Sequence, residues 1–309
     1  MAGRTFYPHA LNHCYQCTAD HGVLFYDVCD RLLFFTVFCV MARRHKVKVY
    51  KLVLMPDHIH HSTVPRSKEQ LSSFARDYSA VFAREYNGAF GRKGPVFQAP
   101  FQFAPKRGDK SIRTNLLYLD NNPVERKLVT QAELYRWNFL AYGDSTHPFS
   151  EAIVLRHASM PLRRALQRVD WECGQNHDLS YRLLRNLFDS LPEDRERNQL
   201  TDYIINKYSV MDHAAAFRFF GGFEQEIQAA HFTTGSEYDI NEGFIGKSDR
   251  YYSLFSKILR QEAGLTDNHA PLTAPEAHKW EWFNLLRRKT DAPAKQIAAY
   301  LHVRVETKH

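Results

Sequence analysis

The chain has 309 residues, 44% hydrophobic and 14% aromatic, with 5 cysteines, so it is not a disordered tail or a disulfide scaffold and can bury a sizeable core with room for two domains. Its net charge of +7 is uneven: residues 1–150 hold 20 Lys+Arg against 12 Asp+Glu, and the remainder 21 against 22. Met1 to Pro8 carries no apolar signal region, and no apolar run approaches the length of a membrane span, so a cytoplasmic location with no membrane partner is expected.

His13 to Thr18 reads as a strand. Cys14 and Cys17 have C-x2-C spacing but no second ligand pair, so zinc is not expected there. Asp27 to Arg44 reads as a helix in which Leu32, Leu33, Phe35, Thr36, Cys39 and Val40 give a wide apolar face. In Val47 to Leu54 the apolar Val47, Val49, Leu52 and Leu54 are separated by Lys48 and Lys51, as in a half-buried strand. Pro56-Asp57 signals a turn, and Asp57 to Val64 a second strand paired back on the first. Ser67 to Asn87 is a helix that Ser67 caps and Asn87-Gly88 ends. Gly91 to Pro105 reads as a connector rich in Gly, Pro and Phe, and Lys110 to Asn121 as a helix running up to Pro123. The first half is therefore an α+β unit.

From about Pro148 short helical patterns follow one another: Met160–Val169, Asp178–Ser190, Glu193–Tyr208, Asp212–Phe220, Phe223–His231, Lys247–Glu262, Ala274–Lys289 and Pro293–Val303. The stretch Gly143 to Pro148 resembles a linker, which divides the chain into residues 1–147 and a mostly helical accessory domain, 148–309. Lys295 to Val303 resembles part of a helix-turn-helix but reads better as a closing core helix.

The residues that suggest chemistry all lie in the basic half. A strand through His58-Ile59-His60 puts both imidazoles on one face, where they can hold one divalent cation, Mg2+ or Mn2+, that also takes phosphate oxygens and water. His61 then points to the opposite face. Tyr118 and Asn122 are four apart on a helix, so a phenol and an amide oxygen share a face and can complete a site with the histidines. Pro123 pushes the residue before it away from helical dihedrals, so Asn122 is expected at a helix end or kink. Arg43, Arg44, Lys46, Arg92, Lys93, Lys106, Arg107, Lys110 and Arg113, interleaved with Phe97, Phe101 and Phe103, suit a phosphate backbone and unstacked bases.

Leu54-Met55-Pro56-Asp57-His58-Ile59-His60, Gly94-Pro95-Val96-Phe97-Gln98 and Tyr118-Leu119-Asp120-Asn121-Asn122-Pro123-Val124-Glu125-Arg126-Lys127-Leu128-Val129 together resemble the single-tyrosine HUH transposases, most of all the REP-associated tyrosine transposases. Asn12 to Gln16, Ala42 to Val47 and Tyr135 to Asn138 fit the same pattern, and the resemblance covers about residues 9 to 143. It implies a ferredoxin-like (RRM-like) antiparallel sheet with helices on one face, and His58, His60 and Asn122 as ligands of Mg2+ or Mn2+. It also implies Tyr118 as the nucleophile that cleaves single-stranded DNA near a hairpin through a 5′-phosphotyrosine, in a monomeric or homodimeric, nucleoid-associated protein. The sequence departs from the family at Asp57, at His61-Ser62 and at Asp120. Two other readings stay open on the residues alone: a non-catalytic hairpin-binding protein, and a hydrolase using His58, His60 and water.

Overall fold

Alternating residues at Leu11–Cys17 (β1), Lys48–Leu54 (β2), His58–Val64 (β3) and Gln102–Lys106 (β4) build one antiparallel sheet in the order β2-β3-β1-β4. The computed structural model describes residues 5–98, 101–233 and 248–305. Helices α1 (Val28–His45) and α2 (Lys68–Phe90) connect the strands in the ferredoxin-like order, and α3 (Asp109–Glu125) follows β4. Asp27 caps α1 through a capping box with Asp30, and Ser67 caps α2 by accepting from the Gln70 N–H.

The two faces of the sheet are covered differently. Leu52, Leu54, Ile59 and His61 point to α1 and α2, where the His61 ring meets Phe38, Phe74 and Tyr78. Burial pushes the His61 imidazole down to about 3, which keeps it neutral in this aromatic setting. The opposite face is closed by α3, with Val53 and Met55 against Tyr118 and Leu119. The expected pair of helices on one face is present, and α3 adds a layer beyond it.

Four local expectations are corrected. The connector from Gly91 to Pro105 contains β4, a five-residue edge strand paired with β1. Helix α2 runs through Gly88 and stops at Gly91, whose positive φ of 62° supplies the left-handed cap. Helix α3 continues through Pro123 to Glu125: proline removes one amide donor, but the Arg126 and Leu128 N–H groups still bond the carbonyls of Asn122 and Pro123 at 3.0 and 2.9 Å. Strand β2 also holds a bulge between Val49 and Lys51, which turns Lys51 onto the α3 face while Val49 stays with α1 and α2. Lys51 is consequently buried, where a solvent-facing lysine was expected.

The later chain is helical: α4 (Met160–Gly174), α5 (Tyr181–Asp189), α6 (Asp194–Tyr208), α7 (His213–Phe217), α8 (Phe223–Phe232), α9 (Arg250–Glu262), α10 (Ala270–Thr273), α11 (Glu276–Lys289) and α12 (Ala294–Leu301). The helix expected from Lys247 begins at Arg250, and residue 247 itself lies outside the described residues. One apolar core runs from the sheet and α1 into α4, α5 and α6, through Leu162, Leu184, Ile204 and Tyr208. A second gathers Phe255, Leu286, Ile297 and Leu301 of α9, α11 and α12, so Lys295 to Leu301 serves as a closing core helix. Gly22 meets this second group closely: a Cβ there would lie 2.3 Å from the His302 ring. No described helix is long and apolar enough to cross a membrane.

Candidate functional site

His58 and His60 stand on one face of β3 with ring centroids 4.8 Å apart, and α3 brings Tyr118 to 5.6 Å from His60. All of them, with Asn122, are at most 3% exposed. Asn122 donates from Nδ2 to the Tyr118 hydroxyl at 3.2 Å, and the same nitrogen lies 3.4 Å from His60 Nε2. The helix continues through Pro123, so Asn122 lies within it beside Tyr118 and His60 and not at the helix end or kink that Pro123 led one to expect.

The Nδ1 atoms of both histidines are held from behind. Asp57 Oδ1 lies 2.6 Å from His58 Nδ1, and Arg126 grips both Asp57 oxygens at 3.0 Å while its Nε bonds Asp249 at 2.9 Å. Burial opposes the Asp57 charge, but His58 and Arg126 outweigh it and hold this carboxyl well below its ordinary range. His13, on β1, places Nε2 2.9 Å from His60 Nδ1. Coordination by either histidine would thus be through Nε2, with a carboxylate or a second imidazole fixing the ring, as is usual around metal-bound histidine.

Asn122 supplies the clearest sign of a missing partner. Its Oδ1 is buried and has no hydrogen-bond partner among the described residues. Rotating the amide by half a turn would exchange Oδ1 and Nδ2 and aim the oxygen at His60 Nε2 and the phenol. Two imidazoles and one amide oxygen fit a divalent cation that completes its shell with phosphate and water.

His13, Arg126 and Asp249 are absent from the residues singled out in the sequence. His13 was detectable: with β1 as a strand, His13, Tyr15 and Cys17 share a face, and the register sets them opposite Ser62, His60 and His58. Tyr15 stacks on His60 at 4.9 Å. Cys14 lies on the other face, so the C-x2-C pair is split by the strand period.

The basic residues divide into two groups. Lys106 pairs with Leu11 and His58 with Cys17, so the β4–α3 junction lies six residues, about 20 Å, along β1 from His58. Arg107, Lys110 and Arg113 lie there, and Arg44 and Lys46, just before β2, lie at the same end of the sheet but at its opposite edge, all exposed. Arg92 and Lys93 lie past the other end of α2, near Gln98, whose N–H bonds the Cys17 carbonyl at 2.9 Å. Arg43 and Arg92 are engaged structurally, Arg43 on the Tyr208 carbonyl and Arg92 on Asn87 and Pro95.

Asp120, two residues from Tyr118, turns away from the site. With Glu226 of α8 it encloses the Lys51 ammonium, at 2.7 and 3.1 Å, and all three side chains are at most 1% exposed. Burial pushes the Asp120 carboxyl well above its usual range, against the pull of Lys51.

No protein-family model matches the chain, and no curated protein matches it. Among solved structures it is similar to a REP-associated tyrosine transposase bound to a REP hairpin, at 19% identity over 46% of this chain and 84% of that one, with a TM-score of 0.40.

Proposed function

We propose that the protein is a metal-dependent nuclease and strand transferase for single-stranded DNA near hairpins, with Tyr118 as nucleophile. The observation that carries this reading is the convergence of His58, His60, Asn122 and Tyr118 from β3 and α3, with both Nδ1 atoms held from behind. The resemblance of the His58-to-His60 and Tyr118-to-Val129 segments to single-tyrosine HUH transposases supports it.

His58, His60 and Asn122 would hold Mg2+ or Mn2+, which supplies charge neutralisation at the scissile phosphate. Tyr118 Oη attacks phosphorus in line, the P–O3′ bond breaks, the phenol proton leaves to solvent or a base, and the 3′ oxygen takes a proton. The phosphotyrosine keeps the energy of the original bond, so a second 3′-OH can reverse the step onto a new strand. Without the metal, Asn122 Nδ2 holds the phenol, and rotation of the amide would give its oxygen to the cation, while Asp57 and His13 orient the imidazoles.

Incubation of the full chain with labelled hairpin-bearing single-stranded DNA and Mg2+ or Mn2+ tests the reading. A covalent adduct that survives denaturing electrophoresis is expected for the native protein, and none for Tyr118→Phe or after chelation. An adduct that persists in Tyr118→Phe sinks the nucleophile assignment. Hairpin binding without an adduct across a broad substrate library would favour a binding protein on the same scaffold.

A further inference from the structure

Beside the site, between α9 and the turn before β3, lies a cavity of about 480 Å³. This is within the range of about 300–1,000 Å³ usual for sites that take small organic groups. Pro56 and Leu128 form its near wall, and Asp249 joins it to the site through Arg126, Asp57 and His58.

Its polar lining is incomplete in a particular way. Asp249 is 1% exposed; its Oδ2 bonds Arg126, while its Oδ1 has no hydrogen-bond partner among the described residues. Arg31 Nε, in the same lining, is a second buried polar atom with none. Buried polar atoms in this condition are costly unless something enters to bond them. Tyr252 adds an aromatic wall. At the outer edge Lys257 and Arg260 are exposed and make no ion pair among the described residues, and Asn268 fixes the Arg260 guanidinium at 2.9 Å.

We infer that this cavity takes one unstacked base of the single strand that leads to the site, with the base against Tyr252 and Asp249 and its backbone phosphates on Lys257 and Arg260. The inference rests on the reading of the substrate as single-stranded DNA. Asp249 Oδ1 accepts from an exocyclic amine, which adenine, cytosine and guanine carry and thymine lacks, so thymine is the disfavoured base. A ring against Tyr252 supplies stacking that any base can use.

The test measures affinity of the full chain, with Tyr118→Phe to prevent cleavage, for a hairpin with a single-stranded tail. An abasic site or thymine at one tail position is expected to weaken binding about tenfold. Ser253→Trp, which fills the cavity from exposed α9, should lose that dependence while keeping native affinity for the tailless hairpin. Lys257→Ala with Arg260→Ala should lower the slope of log affinity against log salt by about two for tailed DNA only. The inference is overturned if all tail positions tolerate an abasic site equally, or if the penalty persists in Ser253→Trp. It is also overturned if free dCMP binds the cavity as tightly as the tailed strand, because the ligand would then be a free nucleotide. Should Ser253→Trp fail to fold, the charge pair decides. An adduct in the native protein without any tail preference removes this inference alone, whereas tail preference without an adduct removes the Tyr118 reaction and leaves it standing.

Discussion

His13 shows what a histidine can do from behind a candidate metal ligand. By occupying His60 Nδ1 it fixes which nitrogen His60 presents to Asn122, and its ring lies 5.7 Å from that of Tyr118. On the proposed function it would be a positioning residue. His13→Phe should weaken divalent-metal affinity by about 10–100-fold, with His13→Gln recovering part of the loss. Calorimetric metal titration checks this, and unchanged metal affinity in His13→Phe would leave the residue a purely structural role. The pair His58 and His60 was legible from its spacing and His61 from its opposite phase. His13 obeys the same period of two, but the adjacent Cys14 and Cys17 give that segment the spacing of a different pattern.

Helix α3 must present Tyr118 and Asn122 to β3 in one rotational setting, and polar contacts add to the apolar packing of Leu116 and Leu119 in fixing it. Ser62 donates to Asn115 at 2.7 Å, and Lys51 is enclosed by Asp120 and Glu226. The bulge in β2 is what turns Lys51 inward, and its trace was visible: Val47 and Val49 occupy odd positions, Leu52 and Leu54 even ones, so the apolar phase slips between them. The departure at Asp120 is explained by its partner on β2, which no reading of α3 alone could supply. Lys51→Met leaves two buried acids facing each other without a cation and should cost about 3–5 kcal/mol. Replacing Lys51, Asp120 and Glu226 together by Met, Leu and Leu should recover most of that. Denaturant unfolding distinguishes the cases, and a Lys51→Met protein within about 0.5 kcal/mol of native stability would contradict the account.

At the scale of the molecule, the later helices are tied to the first ones by charge as well as by apolar contact. His269, just before α10, directs Nε2 at both oxygens of Asp30, at 3.0 and 2.8 Å, and stacks on Phe90 at 4.1 Å. Burial pushes this imidazole down, but Asp30 overrides it and brings the group up to about 9. The folded protein holds this proton more tightly than the unfolded chain, whose histidine titrates near 6.5. The stabilisation is therefore complete below about 6.5 and lost as pH rises through about 9, on the order of 3 kcal/mol in all. Thermal melts of native protein should fall over that interval, and those of His269→Gln should be nearly flat; parallel curves would refute the pairing. The apolar run Leu32 to Met41 already hinted at this arrangement. It is apolar on every side, as suits a helix covered by the sheet and α2 on one flank and by α5 and α6 on the other. What the sequence could not convey is which distant helices supply that cover, because a pattern records how much surface is hidden and not by whom.

The layer that α3 adds also limits how nucleic acid can approach. Open four-stranded sheets of this topology can offer a flat platform on which bases lie across the strands. Here α1 and α2 occupy one broad surface and α3 the other, while the β2 border is closed by the Val49–Met211 bridge. On the proposed function, a strand of DNA would therefore have to come in edgewise, past β4 or over the strand ends near His58. Such a route would suit one chain of nucleotides better than an intact duplex, so a preference for unpaired DNA would be a property of the doorway before any base is read.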